Sequence, residues 1–333
     1  MAAKIRFGVA VIIVANLAVS QSEAANDIAN LTVENDLFIG KDNGYTNGAY
    51  LSWAHGPVPD FTPDNLPTWL YNLSKLLPIS TMPDKQRGVS YLIGQSMQTP
   101  SDLSEKELIV EDPPYLGMLI WQTSLHAYGQ QVADTLSLSL GLVGPAAGAE
   151  ATQKLGHKLL DSEEPKGWSN QIHNEPCFRI STERLWRLAD MPVHGNFGFD
   201  VIGIGSAGVG TIKSNVATGF SIRFGRDLER SFPTATMLPG REVHPLAGEL
   251  AHSWRVFFNV LGEYVANDIT IDGNTFRDSH SVPLQHWQAQ AALGAALNLQ
   301  QWAFMLSFVK ASDRYENQRE GGDFGALSIS YTF

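Results

Sequence analysis

The sequence predicts an all-β fold, a transmembrane antiparallel β-barrel of about twelve strands with a helix in one extracellular loop, and three observations predict it. An export signal opens the chain. Beyond it, segment after segment alternates apolar with small or polar side chains at a period of two. No later apolar run reaches the roughly 20 residues a helix needs to cross a bilayer, which excludes a helical inner-membrane protein.

The signal comes first. Lys4 and Arg6 form a positive n-region, Phe7 to Val19 is an apolar core, and Ser22-Glu23-Ala24 places small residues at the −3 and −1 positions of a cleavage site. Residues 1–24 are therefore read as a signal peptide and 25–333 as one barrel domain. The apolar core is too short to serve as a spanning anchor.

Strands are expected over residues 27–38, 45–54, 89–98, 115–128, 135–143, 178–187, 196–207, 217–226, 253–266, 285–298, 302–312 and 322–333. In the fifth, Leu136, Leu138, Leu140 and Leu142 alternate with Ser137, Ser139 and Gly141. In the ninth, Trp254, Val256, Phe258, Val260 and Tyr264 alternate with Arg255, Asn259 and Glu263. The eleventh presents Trp302, Phe304, Leu306 and Phe308 on one face, with aromatics towards the rims as an interfacial girdle requires. A soluble sandwich strand would show the same alternation taken singly. The last strand decides, since Leu327, Ile329, Tyr331 and Phe333 alternate to the terminus itself, an ending that resembles outer-membrane barrel proteins.

With the mature N-terminus in the periplasm, the connections 39–44, 99–114 and 144–177 fall outside the cell. Two periplasmic connections, 55–88 and 227–252, come out longer than ordinary turns and count against the strand list. The first is broken by six prolines around a short apolar stretch, Trp69 to Leu77, compatible with a helix.

Composition narrows the function. With 23 Lys and Arg against 34 Asp and Glu, the chain carries a formal charge of −11 and would repel a polyanion, so no nucleic-acid partner is expected. A single cysteine, Cys177, allows neither an intrachain disulfide nor a cysteine zinc cluster, so any metal must be held by oxygen or imidazole.

Two polar clusters stand out. In segment 144–177 a Gly-Pro break is followed by Ala149 to Leu160, a helix-compatible run in which Gln153 and His157 stand four apart and share a face, with Glu150 nearby. An imidazole beside an amide can activate water when the ring is oriented; an ordinary surface histidine on a loop helix would have the same spacing. The second cluster ends the first strand. Asn35 and Asp36 are poor strand residues, and without a bulge they must point to opposite faces, one of them towards lipid. Thr46, in Tyr45-Thr46-Asn47-Gly48, opens the neighbouring strand. Turn chemistry accounts for the glycines there but not for Asn35-Asp36. There is no G-x-S-x-G elbow or H-E-x-x-H helix, and Gly203, Gly205, Gly208 and Gly210 lack the following helix of a dinucleotide site.

Taken in order, Glu34-Asn35-Asp36-Leu37-Phe38, Tyr45-Thr46-Asn47-Gly48, Pro114-Tyr115-Leu116-Gly117, Gly144-Pro145-Ala146-Ala147-Gly148 with Gln153 and His157, and Gly167-Trp168-Ser169-Asn170-Gln171-Ile172-His173-Asn174-Glu175-Pro176 resemble the outer-membrane lipid A 3'-O-deacylase family. The resemblance covers about the first half of the mature chain. It implies a twelve-stranded barrel in the Gram-negative outer membrane and a Ca2+-dependent ester hydrolase acting on the lipid A of lipopolysaccharide. On these positions it implies His157 as the residue that activates water, Gln153, Asn35 and Thr46 as its catalytic companions, and Asp36 as a calcium ligand. A lysine of the family's second outer loop has no clear counterpart, since Glu105 occupies the counted position and Lys106 follows it. The partners expected are lipid A and the surrounding outer-membrane lipids, with the protein a monomer. The alternatives are a non-catalytic barrel, porin or structural, and an outer-membrane phospholipase.

Overall fold

A computed structural model describes residues 26–36, 45–160, 164–232, 252–318 and 322–333. Residues 1–24, read above as a signal peptide, the connection 39–44 and most of 227–252 lie outside the described residues. Twelve antiparallel strands close a barrel in which each pairs with its neighbours in sequence and β1 with β12. They are β1 (Asn26–Asn35), β2 (Tyr45–Val58), β3 (Gln86–Gln98), β4 (Leu116–Tyr128), β5 (Val132–Val143), β6 (Glu175–His194), β7 (Phe197–Gly210), β8 (Lys213–Arg226), β9 (His252–Asp268), β10 (Trp287–Leu299), β11 (Trp302–Ala311) and β12 (Phe324–Thr332). Among the described residues three α-helices join them: α1 (Thr68–Ser74), α2 (Ala149–Leu160) and α3 (Ile269–Asp272). No helix among the described residues is long and apolar enough to cross a membrane.

Alternation sorts the side chains. Ile93, Trp121, Leu140 and Phe178 align across β3 to β6 on the outward face, where apolar residues meet lipid. The opposite face fills the lumen with hydrogen-bonded polar groups. His126 Nε2 lies 2.8 Å from Ser90 Oγ, Thr32 Oγ1 lies 2.8 Å from Ser328 Oγ, and Asn30 Nδ2 donates to Ser52 Oγ at 3.1 Å. Deeper towards the periplasmic end, the fully buried Asp200 accepts from Arg187 Nη1 at 2.5 Å and from Arg223 Nε at 2.8 Å. The seam is closed to the last residue, since Phe333 N donates to Asp27 O at 2.8 Å.

The end carrying the described termini also has the tight turns 129–131, 195–196 and 300–301, which identifies it as periplasmic. The long connections after β3, β5, β9 and β11 gather at the other rim. Two expectations are adjusted. β1 stops at Asn35, and β6 runs to His194, well past 187; bulges between Arg187 and Ala189 and between Pro192 and His194 shift its phase and hide the alternation. The length of 55–88 does not count against the strand list either. β2 and β3 both extend into it, and the remainder forms α1, close to the expected Trp69 to Leu77.

Candidate active site

The site is built at the extracellular rim, on the outside of the wall. Asn35 shares its face with Leu31 and Val33, so it looks towards the bilayer, while Glu34 before it and Asp36 after it are buried, Asp36 at 1% exposure. Asp36 lies one residue past the end of β1, where strand alternation no longer sets its direction. Asn35 lies opposite Asn47 of β2, and Asn47 opposite Met97 of β3. Thr46 is the extra residue of a bulge between the Tyr45 to Gln98 and Asn47 to Met97 pairs; its side chain is outside the described set.

The same row continues from Met97 to Gly117 of β4, and here α2 lands. Its approach is set by backbone freedom. Gly144 has φ +96° and Gly148 φ +74°, values that favour glycine, with Pro145 opening the short turn between them. Gly144 N donates to Gly117 O at 2.9 Å, and Ala146 N to Asn174 Oδ1 at 2.8 Å. Gln95 Nε2, on the outward face of β3, donates to Ala147 O at 2.6 Å. Ala149 then packs with Met97, Tyr115 and Trp168. A Cβ on Gly117 would stand 2.5 Å from Ala149 Cβ, so only glycine lets the helix come this close. Asn35 and Met97 are two ladder steps apart, roughly 10 Å. The first turn of α2 and the end of β1 therefore occupy one stretch of outer rim.

Along α2, Glu150 sits in the first turn and His157 and Lys158 in the last, the arrangement the helix dipole favours. Lys154 Nζ meets Glu150 Oε1 at 2.7 Å, and this hydrogen bond raises the lysine pKa. Gln153 turns inward. Its Oε1 accepts from Trp168 Nε1 at 2.7 Å, and its Nε2 is buried without a hydrogen-bond partner among the described residues. His157, one turn on and half-buried, shares this face. Tyr115 packs against Trp168 with ring centroids 4.9 Å apart and planes tilted by 54°, and burial pushes its phenol pKa up.

Of the five residues read from the sequence, the backbone brings all to one rim: Gln153 and His157 on α2, Asn35 and Asp36 at the end of β1, and Thr46 at the start of β2. Sequence reading missed the residues that hold α2 down, chiefly Trp168 and Gln95. Trp168 belongs to a quoted motif, so a signal was there, but nothing in spacing linked it to Gln153. Glu175 of the same motif braces the rim by accepting from Thr275 N at 2.8 Å and Phe276 N at 3.0 Å. Glu105 and Lys106 both lie against this loop. Glu105 O would be 3.1 Å from a Cβ on Gly167, and Lys106 O accepts from Asn170 Nδ2 at 2.8 Å.

No group of three or more His, Cys, Asp or Glu side chains converges among the described residues. For a hard cation the donor chemistry nonetheless fits. Asp36 is a buried carboxylate at the rim, the kind of oxygen ligand a hard cation prefers, and neutral oxygens would have to complete a calcium shell.

Residues 7–333 match the model of the family described as outer membrane protein LpxR. Among solved structures, LpxR from Salmonella typhimurium is similar with a TM-score of 0.74 at 17% identity, covering 92% of this chain and 100% of that one. The β domain of the Bordetella autotransporter BrkA is more distant, with a TM-score of 0.43 at 8% identity over 93% of this chain and 100% of that one. A comparison with curated proteins gave no match.

Proposed function

The chain belongs to the LpxR family of outer-membrane proteins, and from that premise we propose that it is a lipid A deacylase, a calcium-dependent hydrolase that removes 3'-O-linked acyl chains in the outer leaflet. One observation carries the reading: α2, with Gln153 and His157, is docked on the bilayer-facing side of the wall, on the row of residues that leads to Asn35. A lipid can reach that face by moving sideways in its own leaflet. The packed polar lumen speaks against the conducting-pore alternative.

In this mechanism His157 accepts a proton from water as the oxygen attacks the ester carbonyl. The carbonyl–oxygen bond to the sugar then breaks, and the imidazolium returns the proton to the departing hydroxyl. Gln153, fixed by Trp168, keeps the helix face in register with the wall. Asn35, at the end of β1, and Thr46, at the start of β2, are assigned to orient the acyl ester. Asp36 would hold the calcium ion, and a bound calcium would supply electrostatic stabilisation to the developing oxyanion.

The test is fatty-acid release from purified lipopolysaccharide with calcium, read by mass spectrometry of the lipid A. Loss of release in His157→Ala and on chelation is expected. Full activity in His157→Ala, or hydrolysis of phosphatidylethanolamine in preference to lipid A, would overturn the assignment.

A further inference from the structure

The connection between β2 and β3 does not hang below the barrel; it folds back onto the outside of the wall. Arg87, on the outward face of β3, fastens it by donating to the carbonyls of Lys85 at 2.5 Å, Met82 at 2.6 Å and Ser80 at 3.3 Å. Leu66, Leu70 and Ile79 bury against Val89, Leu125 and Ala127. Val89 and Leu125 lie opposite one another on the face away from Ser90 and Ser124, which point into the lumen, so the wall under α1 is the bilayer-facing wall. Trp69 of α1 stands 6.2 Å, centroid to centroid, from Trp121 on that wall.

α1 also has a second apolar face. Trp69 and Leu73 on the helix and Leu76 in the turn that follows it are exposed, Leu76 at 80%. A helical turn apolar on both sides suits hydrocarbon rather than water.

Beside the segment that follows α1, a groove of about 500 Å³ is lined by Ile79 and Met82 from the connection and by Leu136, Thr182, Ala207, Asp134 and Arg184 from the wall. Arg184 is 46% exposed, and its Nε donates to Asp134 Oδ1 at 2.5 Å. Asp134 also meets Lys85 Nζ at 3.4 Å. Asp134 and Arg184 are the charged residues that line the groove, and Lys85, from the adjoining cavity, adds a second cation to the same carboxylate, so the three groups together carry one positive charge. Asp60 and Asp84 line the larger adjoining cavity at the periplasmic mouth, which Lys85 also lines and which meets the groove at Met82. An outward charge on a barrel wall is costly unless an anion meets it, and a bilayer supplies that anion as lipid phosphate, with acyl chains attached.

We propose that this groove binds one phospholipid of the periplasmic leaflet, its phosphate on Arg184 and an acyl chain between Ile79 and Ala207. The site lies at the opposite end of the wall from α2 and requires no catalysis there. Phosphatidylglycerol titrated into the detergent-solubilised full chain and followed by native mass spectrometry tests it. The wild type and His157→Ala should each retain one lipid. Arg184→Gln should retain it at least tenfold more weakly, and so should Ala207→Trp, which fills the groove without touching the charge. Both variants are checked for a heat-modifiable barrel on gels, so loss of folding is distinguished from loss of binding. Equal retention by either folded variant, or no retention by the wild type, overturns the proposal.

Discussion

Trp168 Nε1 donates to Gln153 Oε1 at 2.7 Å, with both side chains nearly inaccessible to solvent, and this bond ties the loop before β6 to the middle of α2. Trp168→Phe keeps the ring and removes the donor, leaving the glutamine oxygen buried and unsatisfied at a cost of about 1–3 kcal/mol. Deacylation should fall roughly tenfold or more while the barrel's mobility on gels is unchanged. Activity equal to wild type would show that the bond does not position the helix.

Gly117→Val should detach α2 outright. The new side chain would meet Ala149 at less than any real contact distance, and the fixed strand cannot yield. Limited proteolysis should then cut within 149–160, a segment expected to resist cleavage in the wild type.

Asp36→Asn should weaken calcium binding by tenfold or more, because it removes the anionic oxygen and keeps the shape. Titration of the purified protein with calcium, followed by tryptophan fluorescence, reads this apart from activity. Chelation should abolish deacylation by the wild type and be reversed by added calcium.

Asp200→Ala should be severely destabilising, because it leaves Arg187 and Arg223 buried without their shared carboxylate. Breaking a buried pair from one side costs about 3–5 kcal/mol, which would appear as a large drop in the urea midpoint of the refolded barrel.

The fold was legible because a barrel wall has only two environments, and a period of two records them directly, as in Trp302 to Phe308. It became illegible where the period slipped. The bulges in β6 shift the phase around Leu188 and Pro192, and no local pattern reports them. The site was partly legible. A carboxylate and an amide at a strand end, and an imidazole at helical spacing from an amide, each needed an explanation. That the end of β1 and the start of α2 share one stretch of rim depends on the pairing of Asn35, Asn47, Met97 and Gly117 across four strands, which spacing along the chain does not encode. Gln95 was invisible for the same reason, being an unremarked strand residue until Ala147 arrives beside it.

The hydrogen bond from Phe333 to Asp27 has a kinetic meaning. The two strands that complete the cylinder are almost a whole chain apart, so no productive closure can begin before the C-terminal segment is available. Until then the unfinished sheet offers two unprotected edges to any neighbouring chain. Loss of its final few residues should therefore yield aggregates rather than a smaller working barrel.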